Sequence, residues 1–281
     1  MLSRTAVFLL LALSPLAAFA DNDCAFRAER TLDIDVKGVD TFKLDTGAGD
    51  LDVKGVPGLA RIEIRGKACA SDQDRLAALQ LTQRRDGNTA FAATQIPDSD
   101  GGVNPFGSRY AYIDVEVRMP AELALQLRDS SGDIEIAGLR KGIDLTDSSG
   151  DIELRDVAGA VRISDTSGDI EVDGAEGDVT IDADSSGDID LRNVRGDAYV
   201  RNDSSGDVKF RRVSGRARID NDSSGDIVFD DIGGDASVGH DSSGDIRADH
   251  VRGGFTVESK ANVDDIHYAN VGGKVSLPPR R

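Results

Sequence analysis

The chain has no tryptophan, only two cysteines and three histidines, and no basic counterweight to its acid: 51 Asp and Glu against 33 Lys and Arg give a formal net charge of -18 over 281 residues. The acidic balance excludes nucleic acid as a partner, because no basic stripe exists to displace phosphate counterions. The histidines, His240, His250 and His267, have no Ser or Cys motif to serve, so no catalytic residue is assigned and the chain reads as a non-enzyme. Past residue 20 no apolar run is long enough to cross a bilayer, so the mature chain is expected to lack a transmembrane span. Cys24 and Cys69 are the only candidates for a disulfide, which an exported context permits; two free thiols are the alternative.

Export is read from the first 20 residues. Arg4 supplies a positive start, Ala6 to Leu13 an apolar run, and Ala18-Phe19-Ala20 a small-x-small cleavage signal, so residues 1–20 are expected to be a signal peptide and the mature chain to start at Asp21. Periplasmic or extracellular localisation follows.

What the chain does have is repetition. Asp-Ser-Ser-Gly-Asp begins at Asp129 and returns at Asp147, Asp184, Asp203, Asp222 and Asp241, with a near copy at Asp165. The second Asp of each copy (Asp133, Asp151, Asp169, Asp188, Asp207, Asp226, Asp245) serves as an origin, the origins lie 18 or 19 residues apart, and a degenerate eighth falls at Asp265. Such a period means a solenoid. Apolar residues fall at +1, +3, +6, +10 and +12, as in Ile189, Leu191, Val194, Ala198 and Val200. Two period-2 stretches predict two short strands per coil, with the +6 side chain filling the corner between them. A Gly recurs at +8 in seven coils (Gly159 to Gly273), where a positive φ is expected. The fold class is therefore all-β, a parallel β-solenoid (β-helix) of 18–20 residues per coil. Right-handed winding follows from the crossover rule.

Residues 21–128 read as a divergent N-terminal capping region, and 129–281 as the regular solenoid with a short C-terminal tail. Thr31 to Gly66 resembles a first coil, with Asp45-Thr46-Gly47-Ala48-Gly49-Asp50 imitating the turn. Ser71 to Arg84 is predicted as one short helix, with Ser71 as N-cap and Leu76 and Leu79 on its apolar stripe. Ile96 to Ser108 is a loop by composition, carrying Phe106 beside Tyr110 and Tyr112.

In the Asp-Ser-Ser-Gly-Asp turn the first Asp and the hydroxyls can accept backbone N–H bonds, and Gly can take the left-handed conformation. Stacking then places like carboxylates about 5 Å apart up one edge of the rod, a structural turn ladder made by the seven origins with the first Asp of each copy beside them. Calcium needs six to eight oxygen ligands, and the nine-residue calcium β-roll motif never appears intact. No cofactor is assigned beyond weak Ca2+ binding, and a calcium-binding repeat protein is the alternative reading. Lys209, Arg211, Arg212, Arg216 and Arg218 form the one basic cluster, a candidate docking patch for an acidic glycan or protein. A polysaccharide-active β-helix enzyme, the second alternative, would use longer coils whose loops build a groove.

The iterated Ser-Gly-Asp-Ile turns, preceded by Ile113-Asp114-Val115-Glu116-Val117-Arg118-Met119-Pro120, resemble a family of bacterial β-strand-repeat proteins of unknown function, of the adhesin type. The resemblance runs from about Thr31 to Leu277. It implies a β-solenoid on an exported or envelope protein, and supplies no catalytic or ligand residues. The expected function is that of an exported, non-catalytic, adhesin-like or cell-envelope interaction scaffold with an envelope protein or glycan as partner.

Overall fold

The computed structural model describes residues 24–97 and 109–279. The signal peptide expected over residues 1–20, Phe106 and the final Arg280-Arg281 lie outside the described residues. Strands β1 (Phe26–Asp35), β2 (Thr41–Asp45), β3 (Leu51–Val56) and β4 (Arg61–Ala70) precede helix α1 (Gln73–Ala78). Strands β5 (Gln80–Asp86), β6 (Thr89–Gln95), β7 (Ala111–Pro120) and β8 (Ala124–Arg128) follow it.

The repeats then supply two strands per coil. The pairs are β9 (Ile134–Ala137) with β10 (Ile143–Thr146), β11 (Ile152–Val157) with β12 (Val161–Ser164), β13 (Ile170–Ala175) with β14 (Val179–Ala183), and β15 (Ile189–Val194) with β16 (Ala198–Asn202). They continue as β17 (Val208–Val213) with β18 (Ala217–Asp222), β19 (Ile227–Ile232) with β20 (Ala236–Asp241), β21 (Ile246–Val251) with β22 (Phe255–Lys260), and β23 (Ile266–Tyr268) with β24 (Val275–Ser276).

The first strand of each coil joins one 12-stranded sheet and the second joins another, so the rod is two facing sheets with the core between them. Coil-to-coil pairing is parallel and in register, as in Ile189↔Val208 and Ala198↔Ala217. The alternating apolar residues point inward: Ile189, Leu191, Val194, Ala198 and Val200 are all buried. Phe210 and Phe229 stack in successive coils, with ring centroids 5.0 Å apart. One coil cannot enclose a core; stacking buries it.

Strands β2 and β3 make the first coil and pair in parallel with β8 and β9, although about 67 residues of chain separate β3 from β8. The intervening segment closes the rod's N-terminal end. β7 lies parallel to β3, while β4 and then β1 add antiparallel strands outside it. β6 lies parallel to β2, and β5 adds the outermost antiparallel strand of the second sheet.

The helix expected over Ser71 to Arg84 is much shorter. Asp72, not Ser71, caps it by accepting the Arg75 amide, and the chain is already extended at Leu79. From Gln80 it forms a hairpin with β6 across Gly87-Asn88, where Gly87 has φ +55°. Edge pairing in the second sheet outweighs the weak helical preference of this segment. Leu76 and Leu79 are buried as the apolar stripe requires. Cys24 and Cys69 form a disulfide that ties the start of β1 to β4.

The positive φ expected at the +8 glycines lies elsewhere. Of these, Gly159 alone has it, at +92°. Positive φ falls at two positions of the coil: the turn glycines Gly132, Gly150, Gly168, Gly187, Gly206, Gly225 and Gly244 have it, at +100° to +132°, as does the +5 residue, where Gly138, Asp156, Gly174, Asn193, Arg212, Asp231, His250 and Asn270 lie between +50° and +83°. What the +8 position requires is room: a β-carbon on Gly234 would stand 2.8 Å from the Gly215 carbonyl oxygen of the coil before it.

Candidate functional site

Every coil passes the same corner at Asp-Ser-Ser-Gly-Asp, and the residues of that corner stack into columns. The outer column is the ladder of origins. Asp133, Asp151, Asp169, Asp188, Asp207 and Asp226 each accept the backbone N–H of the next origin through Oδ1 at 2.8–3.0 Å, and Asp245 supplies the last donor. The ladder extends into the capping region, where Asp133 donates to Asp50 and Asp50 to Asp114. Serines repeat the device: the Ser205 hydroxyl donates to the Ser185 carbonyl at 3.0 Å, and Ser224 to that of Ser204 at 3.1 Å. Amide donation from Asp207 holds the Asp188 carboxyl below the usual carboxylate range, and that from Asp245 does the same for Asp226. These carboxylates are exposed or half-buried, and amides and cations answer their charge.

The first Asp of each copy does not stand beside the origins on the edge. Asp129, Asp147, Asp165, Asp184, Asp203, Asp222 and Asp241 are all at most 6% exposed, inside the rod. Their direction follows from strand alternation. Ile143 and Leu145 point inward, so Asp147, two residues on, does too. In the 19-residue coils an extra residue enters between the last apolar side chain and the Asp, as between Ile219 and Asp222, and the inward direction is kept. This signal was available in the +12 to +14 spacing.

The predicted basic cluster is divided by the fold. Lys209 and Arg211 project from β17 on the outer face of the first sheet, Arg212 is the left-handed residue near the end of β17, Arg216 lies in the connection that follows, and Arg218 projects from β18 on the outer face of the second sheet. Each is met by an acceptor, mostly of the preceding coil. Lys209 Nζ lies 2.9 Å from Asp188, Arg211 reaches Asp190 at 2.7 Å, Arg216 reaches Asp197 at 2.6 Å, and Arg212 donates to Asn193. Arg218 pairs with Asp220 in its own strand at 2.5 Å. Exposed pairs of this kind contribute little stability each.

A depression of about 730 Å³ runs across the outer face of the second sheet from β14 to β24. Its floor is made by short side chains, Ser237 and Thr256, and its rim by Tyr199, Arg218, Glu258 and Lys274. The Tyr199 hydroxyl bonds to Asp220, and the Arg201 guanidinium lies 5.5 Å from its ring centre. The face thus combines an aromatic ring with charges of both signs over a small-residue floor. That is the equipment for holding a polar, hydroxyl-rich or charged surface.

Asp230, Asp249 and His250 bring three ligand atoms within 4.8 Å of one another. The His250 and Asp230 side chains are mostly exposed, and Asp249 already accepts from the His250 amide and from Asn270. Of the loop aromatics, Tyr110 accepts the Ala25 amide at 2.9 Å and so fastens the N-terminal strand, and its ring lies 6.3 Å from that of Tyr112. No helix among the described residues is long and apolar enough to cross a membrane.

The profile of a family described as Toastrack DUF4097 matches residues 29–194. No curated protein matches the chain. Among solved structures the chain is similar to a “putative adhesin” from Bacteroides fragilis, at 15% identity and a TM-score of 0.43 over 89% of this chain and 97% of that one. It is similar to a “putative lipid binding protein” from Parabacteroides distasonis, at 15% identity and a TM-score of 0.46 over 89% and 97%. A “putative cell adhesion protein” from Clostridium sporogenes matches at 10% identity and a TM-score of 0.37 over 90% and 100%. Scores this low carry neither fold nor function from those proteins to this one.

Proposed function

The chain belongs to the toastrack family DUF4097, a family of unknown function, and from that premise we propose that it is an exported, non-catalytic, adhesin-like scaffold that holds an envelope protein or glycan on the outer face of its second sheet. The observation that supports this is the depression floored by Ser237 and Thr256 and rimmed by Tyr199 and Arg218. A rigid parallel sheet presents such a face without induced fit, so little conformational entropy is lost on binding.

A photo-crosslinking residue placed at Ser237, and for comparison at Arg211, tests this in the native host. The expected result is a discrete adduct, protein or glycan, from Ser237 and none from Arg211. Adducts from Arg211 alone, or from neither position, would overturn the assignment of this face.

A further inference from the structure

The inner aspartates form a continuous column through the rod. Their amides continue the strand ladder: Asp129 donates to Thr146 O, Asp147 to Ser164 O, Asp165 to Ala183 O, Asp184 to Asn202 O and Asp203 to Asn221 O, at 2.9–3.0 Å. Asp222, Asp241 and Lys260 continue it in strict register. Thr46 stands at the first step, donating its amide to Arg128 O beside Asp129. Successive carboxyl groups are therefore one strand spacing apart, about 4.8 Å.

Two facts make this column unlike the outer ladder. Both carboxyl oxygens of Asp129, Asp147, Asp165, Asp203 and Asp222, and Oδ2 of Asp184, are buried without a partner in strict hydrogen-bond geometry among the described residues. The amides of the Ser or Thr residues that follow each of them, and the Thr46 hydroxyl at Asp129, approach at poorer geometry and oppose the effect of burial without cancelling it, while Asp203 and Asp222 reach each other. The Ser186 amide reaches Asp184 Oδ1 at only 3.4 Å. Secondly, among the described residues a single buried cation answers seven buried carboxyl groups: Lys260, its side chain 1% exposed, places Nζ 2.6 Å from Asp241 Oδ2. Buried charge is not left unneutralised. Lys260 occupies the next step of the column itself, so the fold has room there for a cationic group; between Thr46 at one end and Lys260 at the other, the steps hold only carboxyls.

We propose that the column is a proton-binding site of the folded rod, in which neighbouring aspartates take up protons from solvent and share them as carboxylic acid–carboxylate hydrogen bonds, with Lys260 neutralising the last. In each pair a carboxyl oxygen gains an O–H bond and that hydroxyl donates to the carboxylate of the next coil. Burial, reinforced by the neighbouring inner aspartates, pushes Asp147 and Asp203 up to about 7 and Asp184 and Asp222 up to about 6. Asp129 and Asp165 move in the same direction through burial, as does Asp241 despite Lys260. The charged groups facing the column from elsewhere are few. Asp50, Asp151 and Asp169 of the outer ladder raise Asp129, Asp165 and Asp184, while His240 and Lys260 act in the opposite sense on Asp241.

The sign follows. Folded values above the ordinary carboxylate value mean that the native state binds more protons than the unfolded chain between about pH 4 and pH 7, so stability rises as pH falls through 7 and 6 and is lost again as pH rises. Unfolding midpoints in urea of the full mature chain, measured from pH 8 to pH 5 with chelator present, test it. The expected result is an unfolding constant at least tenfold lower at pH 5 than at pH 8, together with the infrared carbonyl band of neutral carboxylic acid in the folded protein at pH 6. Asp203→Asn, which mimics the protonated group, should flatten this dependence and raise the midpoint at pH 8; Lys260→Met should steepen it. If these variants do not fold, the infrared band of the unaltered protein still decides. A midpoint that falls or stays level from pH 8 to pH 5, absence of the acid band, or restoration of the pH 5 midpoint at pH 8 by added Ca2+ would each overturn protons as the neutralising ion.

Discussion

Replacing Gly206 with alanine should open the rod at its middle. Gly206 has φ +124°, and a β-carbon there would sit 2.6 Å from the Gly187 carbonyl carbon of the coil before it. Ordinary contact begins near 3.4 Å, and the Gly187 carbonyl oxygen lies nearer to the added carbon than the carbonyl carbon does, so the two turns must part by well over 1 Å. The dihedral alone costs about 1–3 kcal/mol for a residue with a β-carbon. Parting the turns also stretches the bonds that join these two coils, Gly187 N to Ser205 O, Asp207 N to Asp188 Oδ1 and Ile189 N to Asp207 O, each contributing about 0.5–1.5 kcal/mol. The sum is a destabilisation of about 3–6 kcal/mol. Gly58→Ala is the control, because φ there is +74° but nothing lies within 4 Å of the added carbon; it should cost only about 1–2 kcal/mol. Urea midpoints give the comparison. Amide hydrogen exchange locates it, since a repeat array opens locally as well as globally. Gly206→Ala should deprotect β15 through β18 first. Equal midpoints for the two variants, or uniform loss of protection, would refute the reasoning that close approach of turns sets this position.

Two further substitutions read other parts of the fold. Asp231→Gly relieves a left-handed non-glycine residue at φ +55° and should raise stability by about 0.5–1 kcal/mol after the extra unfolded-state freedom of glycine is counted, measured by urea midpoint. Replacing Cys24 and Cys69 together with serine opens a loop spanning 45 residues, and should cost about 3–4 kcal/mol, seen by hydrogen exchange as loss of protection confined to β1, β4 and their neighbours.

The repeat made most of this architecture legible in advance. In the seven coils that begin at Asp133 to Asp245 the +1, +3, +6, +10 and +12 residues are the ones the sheets bury, because side-chain direction in a strand follows from alternation alone; in the last coil, with no coil beyond it, Tyr268 at +3 is 50% exposed. The capping segment was harder. Its strands pair with partners far away in sequence, as Arg65 does with Glu116, and no local pattern announces that, so Gln80 to Arg84 reads as the end of a helix in sequence although it belongs to the hairpin with β6. The glycines show a different gap: their recurrence marks a constraint, but not whether it is a near neighbour alone, as at Gly234, or a near neighbour together with a dihedral, as at Gly206. The inner aspartates were readable and were missed by polarity. Asp147 lies on the same face as Leu145, yet a charged residue is ordinarily placed outside. The cations, close together in sequence, lie apart in the fold because Lys209 and Arg218 belong to sheets facing opposite ways.

The origin ladder has a direction: each coil gives an amide to the coil before it and offers a carboxylate to the coil after it. Any coil can therefore follow any other. Duplication or loss of one unit in the coding sequence joins surfaces that already fit, and changes only the reach of the rod, by about 4.8 Å each time. Copy number in such a molecule is a heritable ruler, adjustable in whole steps without the redesign of a single interface.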